Sequence, residues 1–276
     1  MIRSYLRYAL MTETGHTETA PSSGYARYTA FQRHTRKCKE IEKKTIAPPI
    51  DFTIPHIGNL CSYIDKNKIA KVWMISDSNR VLRSTISAET IADNTSRKLK
   101  IIKTDKPAWS IDESYEPVHS WNGSRIKYRQ LDNLCIVDAC QEHLLKKQYQ
   151  LIIGKAVLCS CFGQEQTCGG IPMGKVLQFM EGIGKQLKPE AHAVAILTGN
   201  SPPHEGDMEN WNAGAAALKK AVSDFNSLHE KDNLFAVFWE TTSSSGKSSF
   251  GTNISYAGAF SPLPSRRCFP ITRAFN

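Results

Sequence analysis

The sequence predicts an α/β fold built on a parallel sheet with helices on both faces. Three observations lead there. Continuous apolar runs recur along the chain ("KVWMI", "LIIGKAVL", "AVAILTG", "NLFAVFW"), as they do in strands buried on both sides. Helical segments with one apolar face lie between the later runs, which is the alternation of a βαβ fold. The 276 residues, 41% of them hydrophobic, suffice for one sizeable core plus an extension.

The elements follow in order. Residues 1–45 are polar, without sustained periodicity, and carry nine Lys/Arg against four acidic residues. They hold more than half of the chain's net charge of +9 and read as a poorly ordered basic arm, able to attract a polyanion such as nucleic acid. "MIRSYLRYALMTETGH" is broken by Arg3 and Arg7 and does not read as a signal peptide. No run approaches the roughly 18 apolar residues of a membrane span. A cytoplasmic, intracellular protein is therefore expected. Eight cysteines are too sparse for a disulfide scaffold.

"APPIDFTIP" is a proline-bounded extended segment that opens a domain over 46–276. "IAKVWMIS" is the first strand, and residues 79–93 follow with helical spacing. Residues 94–130 are polar and charged, with a short strand at "KLKIIKT" and a hairpin at "SWNGSRIKY", where Asn-Gly favours a two-residue turn. "NLCIVDAC" and "QLIIGKAVLCSCF" are strands, with "QEHLLKKQ" between them as a short helix. "GKVLQFMEGIGKQL" is an amphipathic helix, since Val176, Leu177, Phe179, Met180, Ile183 and Leu187 share its apolar positions. "AHAVAILTG" is a strand, the alanine-rich 206–230 a helix, and "NLFAVFWE" a strand. "TTSSSGKSSFGTN" reads as a polar loop, and the proline-rich C-terminus shows no element.

Three polar segments then fall at strand ends, where open α/β sheets place their sites. They are Ser76-Asp77-Ser78-Asn79, Cys161-Phe162-Gly163-Gln164 and Thr198-Gly199-Asn200-Ser201. On these motifs the chain resembles the SGNH (GDSL-like) hydrolase family. "WMISDSNRV" is similar to its nucleophile block, and "CFGQEQTCGG…AVAILTGNSPP" to its second and third. The resemblance implies a three-layer α/β/α flavodoxin-like sheet with an insertion around 94–150. It implies an esterase acting on a small acyl ester, with Ser78 as nucleophile and Gly163 and Asn200 completing an oxyanion hole.

The family's final Asp-x-x-His has no counterpart, because no histidine follows His229. A serine without a base is a weak nucleophile. His204, near Asn200, is the best-placed substitute, while Ser78 and its neighbours would equally cap a helix. His192 reads as structural, on a buried strand, and His143 and His229 as helix-surface residues. A second reading is therefore a catalytically silent SGNH-like module beside a nucleic-acid-binding arm. A third is a nucleotide- or SAM-binding α/β domain. No cofactor or metal is implied by motif. Cys159, Cys161 and Cys168 lack zinc-ligand spacing, and Gly246-Lys247-Ser248 lacks the P-loop's leading glycine, since Thr241 stands there.

Overall fold

The computed structural model describes residues 51–77, 86–105, 117–130, 149–158, 171, 173–199, 208–242 and 248–257. Two short strands, β1 (Thr53–Ile54) and β2 (Gly58–Asn59), pair antiparallel and lead into helix α1 (Leu60–Lys66). Asn59 caps α1 by accepting the Ser62 N–H at 3.0 Å.

The remaining eight strands form one sheet. They are β3 (Lys71–Ile75), β4 (Lys100–Asp105), β5 (Val118–Trp121), β6 (Ser124–Gln130), β7 (Leu151–Leu158), β8 (Val194–Gly199), β9 (Leu234–Thr242) and β10 (Ser248–Tyr256). Their order is β5-β6-β4-β3-β7-β8-β10-β9. β6, β4, β3, β7 and β8 run parallel, whereas β5 is antiparallel to β6, and β10 to both β8 and β9.

Period-two alternation sends each strand's side chains to two cores. Trp73, Ile75, Ile152, Ala195 and Leu197 face α3 (Val176–Gln186) and α4 (Met208–Leu228). Val72, Met74, Ile101, Ile126, Ile153 and Ile196 face α1 and α2 (Ala88–Asn94). In α4 the buried Trp211, Ala215, Leu218, Val222 and Phe225 follow spacings of three and four, one stripe against the sheet. Residue Ser87 starts α2 with a capping box. Its hydroxyl accepts the Thr90 N–H while Thr90 Oγ1 accepts the Ser87 N–H.

The strand order corrects the expected flavodoxin-like sheet. A flavodoxin-like sheet has order 2-1-3-4-5. Here β6, the third strand of the parallel set, lies outside β4, giving 3-2-1-4-5 across β6-β4-β3-β7-β8. β10 then inserts antiparallel between β8 and β9. This is a mixed, Rossmann-like order. β10 occupies sequence read as a loop, and it buries Thr252, Asn253 and Ser255 between its neighbours. The helix expected over 79–93 is described only as α2, at 88–94, with Ser87 rather than Ser78 or Asn79 as its cap. The hairpin at Asn122-Gly123 forms as β5–β6, both turn residues taking positive φ (45° and 76°).

Candidate functional site

The strand order reverses between β3 and β7. Ligands of open α/β sheets bind in the crevice at such a point, beyond the carboxyl ends of the strands. β3 is followed there by Ser76, whose φ of 58° is the left-handed conformation usually left to glycine. The Asp77 N–H still donates to Thr104 O at 3.1 Å, holding the chain to β4 for one further residue. The Asp77 side chain then turns to the start of α2, where Oδ2 accepts the Ala88 N–H at 3.0 Å.

Asp77 is the first member of a charged cluster. Lys155, from β7, donates to Asp77 Oδ1 and, at 2.9 Å, to Ile86 O, so one ammonium joins β7, β3 and the approach to α2. Lys103, from β4, is fully buried. Its Nζ donates to both Glu89 oxygens (2.9 and 3.0 Å) and lies 3.6 Å from Asp77 Oδ2. His119 Nε2, from β5, stands 3.8 Å from Glu89 Oε1. Two carboxylates and two ammoniums are thus interleaved at nearly zero exposure, apart from Lys155, whose side chain is 23% exposed. Asp105, 8% exposed, ends β4 beside them. Burial, and secondarily the Asp105 charge, pushes the Tyr128 hydroxyl well above its ordinary pKa.

Lys155 shares the face of Leu151 and Ile153, and β7 is bulged just beyond it. The β7–β8 register shifts between Gly154 and Leu158, and Ala156 has φ 53°. Thr198 on β8 pins the irregularity: its Oγ1 accepts the Ala156 N–H at 3.1 Å and donates to Gly154 O at 3.2 Å. Bulges re-aim side chains, and this one lies on the strand bordering the crevice.

Ser78, Gly163, Asn200 and His204, the residues singled out by sequence, lie outside the described residues, as do Cys159, Cys161, Cys168, His143 and the basic arm. Only their flanks are described. Asp77 is the cluster's hub. Gly199 ends β8 so tightly that an added Cβ would stand 2.4 Å from Leu158 O. His192, expected on a buried strand, sits in the turn before β8, with its side chain 34% exposed. His229 follows α4 and binds Asp232 through Nδ1 at 3.0 Å. Among the described residues no group of three or more His, Cys, Asp or Glu could hold a metal ion, and no helix is long and apolar enough to cross a membrane. Sequence reasoning passed over Lys103, Lys155, Glu89 and Asp105. The signal was there in "KIIKTD" and "LIIGKAVL", since a lysine inside an apolar strand needs a buried partner.

No protein-family model and no curated protein matches the sequence. Solved structures similar to this chain include several methyltransferases. An O-methyltransferase from Bacillus cereus in complex with SAH is 10% identical, with a TM-score of 0.42 over 92% of this chain and 100% of that one. The O-methyltransferase TomG from Streptomyces achromogenes in complex with SAM is 7% identical, with a TM-score of 0.44 over 91% and 96%. The Haemonchus contortus phosphoethanolamine N-methyltransferase 2 in complex with S-adenosyl-L-methionine is 10% identical, with a TM-score of 0.40 over 68% and 48%. At these values the fold assignment rests on the strand order itself.

The sheet is Rossmann-like. This overturns the SGNH/GDSL resemblance and with it the esterase, the small acyl ester substrate and the silent SGNH-like module. The short motifs that suggested them are strand-end turns, which α/β sheets of several families share. What remains of the sequence readings is the SAM- or nucleotide-binding domain.

Proposed function

We propose that this chain is a SAM-binding, methyltransferase-like domain that holds its cofactor in the crevice between the ends of β3 and β7. The observation that carries the reading is the strand order, reversed at β3/β7 and closed by an antiparallel β10 between β8 and β9. Ester hydrolysis gives way to methyl transfer as the chemistry to test.

The crevice chemistry does not suit a pyrophosphate. A dinucleotide needs a glycine-rich turn and open N–H groups at a helix N-terminus for its pyrophosphate. Here the turn reads Ser76-Asp77-Ser78-Asn79. At α2, Asp77 takes the Ala88 N–H and Ser87 takes that of Thr90. A carboxylate thus stands where a phosphate would have to be. SAM carries no phosphate and so does not need the N–H groups that Asp77 and Ser87 occupy. Asp105 has the chemistry to accept hydrogen bonds from ribose hydroxyls, as acidic residues do in Rossmann sites. When bound, SAM supplies an electrophilic methyl group. The chain supplies the polar walls, with Lys155 at the rim.

Isothermal titration of the full chain with SAH tests the reading. Saturable binding is expected, weakened at least tenfold by Asp105→Ala, with NAD giving no heat. With SAH at about 100 times its Kd, stability should rise by about 2.7 kcal/mol. NAD binding in place of SAH would move the chain to the dinucleotide class, and silence with every adenosyl ligand would refute a cofactor site.

A further inference from the structure

The sheet has a second polar region, away from the charged cluster and on the opposite face. On β6, Arg125, Lys127 and Arg129 alternate with Ile126 and Tyr128, so the three cations share the face that β3 turns toward α3 and α4. Register adds to them. Lys100 on β4 lies opposite Arg125, and Lys71 on β3 lies opposite Lys100, so three cations sit side by side on adjacent strands. The other residues of this face over β3, β4, β5 and β6 are Trp73, Ile75, Ile102, Thr104, Val118 and Ser120. None is acidic.

Lys100, Arg125 and Arg129 are exposed, and Lys71 and Lys127 half-buried. Among the described residues none of the five forms an ion pair. That is unlike the buried cluster, where every lysine has a carboxylate. Like charges directly opposite on neighbouring strands destabilise a sheet. The fold carries that cost at two consecutive pairings.

We infer that this face is a phosphate-binding surface for a single-stranded nucleic acid. Alternate residues on β6 place its cations about 7 Å apart, and the next strand lies about 4.8 Å away. The result is a closely spaced array of positive charge that an extended polyanion can follow. An array spread over adjacent strands suits an extended single strand better than a rod-like duplex, which would touch a sheet face along one line. A lipid surface fits poorly, because among the described residues Val118 is the only large exposed apolar side chain on this face, and its aromatic, Trp73, is buried. With no exposed aromatic among those residues to stack on a base, recognition would be through phosphates and independent of sequence. The inference does not depend on the cofactor reading, since it concerns another face and other residues.

Fluorescence anisotropy of the full chain with a labelled oligouridine of about 20 nucleotides tests it across a salt series. Each phosphate contact contributes about −0.7 to the slope of log K against log salt for a single strand. Arg125→Ala/Lys127→Ala/Arg129→Ala should therefore flatten the slope by about 2 and weaken binding at least tenfold at low salt. The charge-retaining Arg125→Lys/Lys127→Arg/Arg129→Lys should bind like wild type. The basic arm is present in every variant, so the difference reports this face alone. If the alanine variant fails to fold, Arg129→Gln and Arg125→Gln singly should each flatten the slope by about 0.7. An unchanged slope in folded variants would overturn the proposal. So would tighter binding to a duplex of equal length, or to phosphatidylserine vesicles, than to the single strand.

Discussion

Replacing Lys103 by methionine should be among the most damaging single changes in the domain. Lys103 has zero exposure and makes bonds of 2.9 and 3.0 Å to a carboxylate that is itself buried. Methionine keeps the length of the side chain and removes the charge. Glu89 then faces Asp77 and the His119 ring without its ammonium partner. Breaking a buried pair by removing one member costs about 3–5 kcal/mol, because the remaining charge is neither solvated nor compensated. For a unit spanning Pro49–Asn276 this corresponds to a fall in Tm of roughly 6–20 °C. The double variant Lys103→Met/Glu89→Met should recover most of the loss, since an apolar replacement of a buried pair is often neutral. Urea unfolding of the four proteins gives the coupling energy directly, and about 2 kcal/mol or more is expected. A loss below about 1 kcal/mol in the single variant, or strict additivity in the double, would refute the buried pair as a unit of stability.

The other predictions concern the crevice rim and the core. Thr198→Val removes the hydroxyl that pins the bulge and leaves the Ala156 N–H without its partner. A loss of about 1–3 kcal/mol in urea unfolding is expected, with weaker SAH binding as Lys155 is displaced. Gly199→Ala places a methyl 2.4 Å from a backbone carbonyl, which must move. Overpacking of about 1–3 kcal/mol or more should lower the thermal midpoint clearly. Burial pushes the Tyr63 and Tyr149 hydroxyls up to about 12. Their contribution to stability is complete below the ordinary tyrosine value near pH 10 and is lost as pH rises through 12. Absorbance at 295 nm should show these two ionising late, together with unfolding. Ionisation near pH 10 in the folded protein would contradict their burial.

Much of the sheet was legible because its central strands are apolar without interruption. β3, β7, β8 and β9 fall on runs that periodicity alone identifies, and Asn-Gly marks the β5–β6 turn. The antiparallel strand inserted near the far edge was not legible. β10 reads "SSFGTNISY", with the composition of a loop, yet it is paired on both sides. Its Asn253 finds partners no local pattern announces: Nδ2 donates to Pro55 O at 2.7 Å and Oδ1 accepts from Trp239 Nε1 at 3.3 Å. Gly251 fits where a Cβ would stand 2.3 Å from Trp239. The order β4-β3-β7-β8 is common to flavodoxin-like and Rossmann-like sheets; the place of β6 outside β4 separates them, and no local pattern announces that place, so strand-end turns alone suggested the wrong family. The site was half-visible for a similar reason. Asp77 stood inside the quoted turn, but its partners Lys103 and Lys155 come from other strands, and register rather than sequence spacing brings them together.

Hydrogen exchange of the full chain with and without SAH tests the central claim, because it reports where a ligand sits as well as whether it binds. The account predicts slower exchange in peptides spanning the ends of β3, β4 and β7, at residues 75–77, 103–105 and 154–158, with the N-terminal ends of the same strands unchanged. Protection confined to those N-terminal ends, or binding with no protection around Asp77 and Lys155, would contradict it.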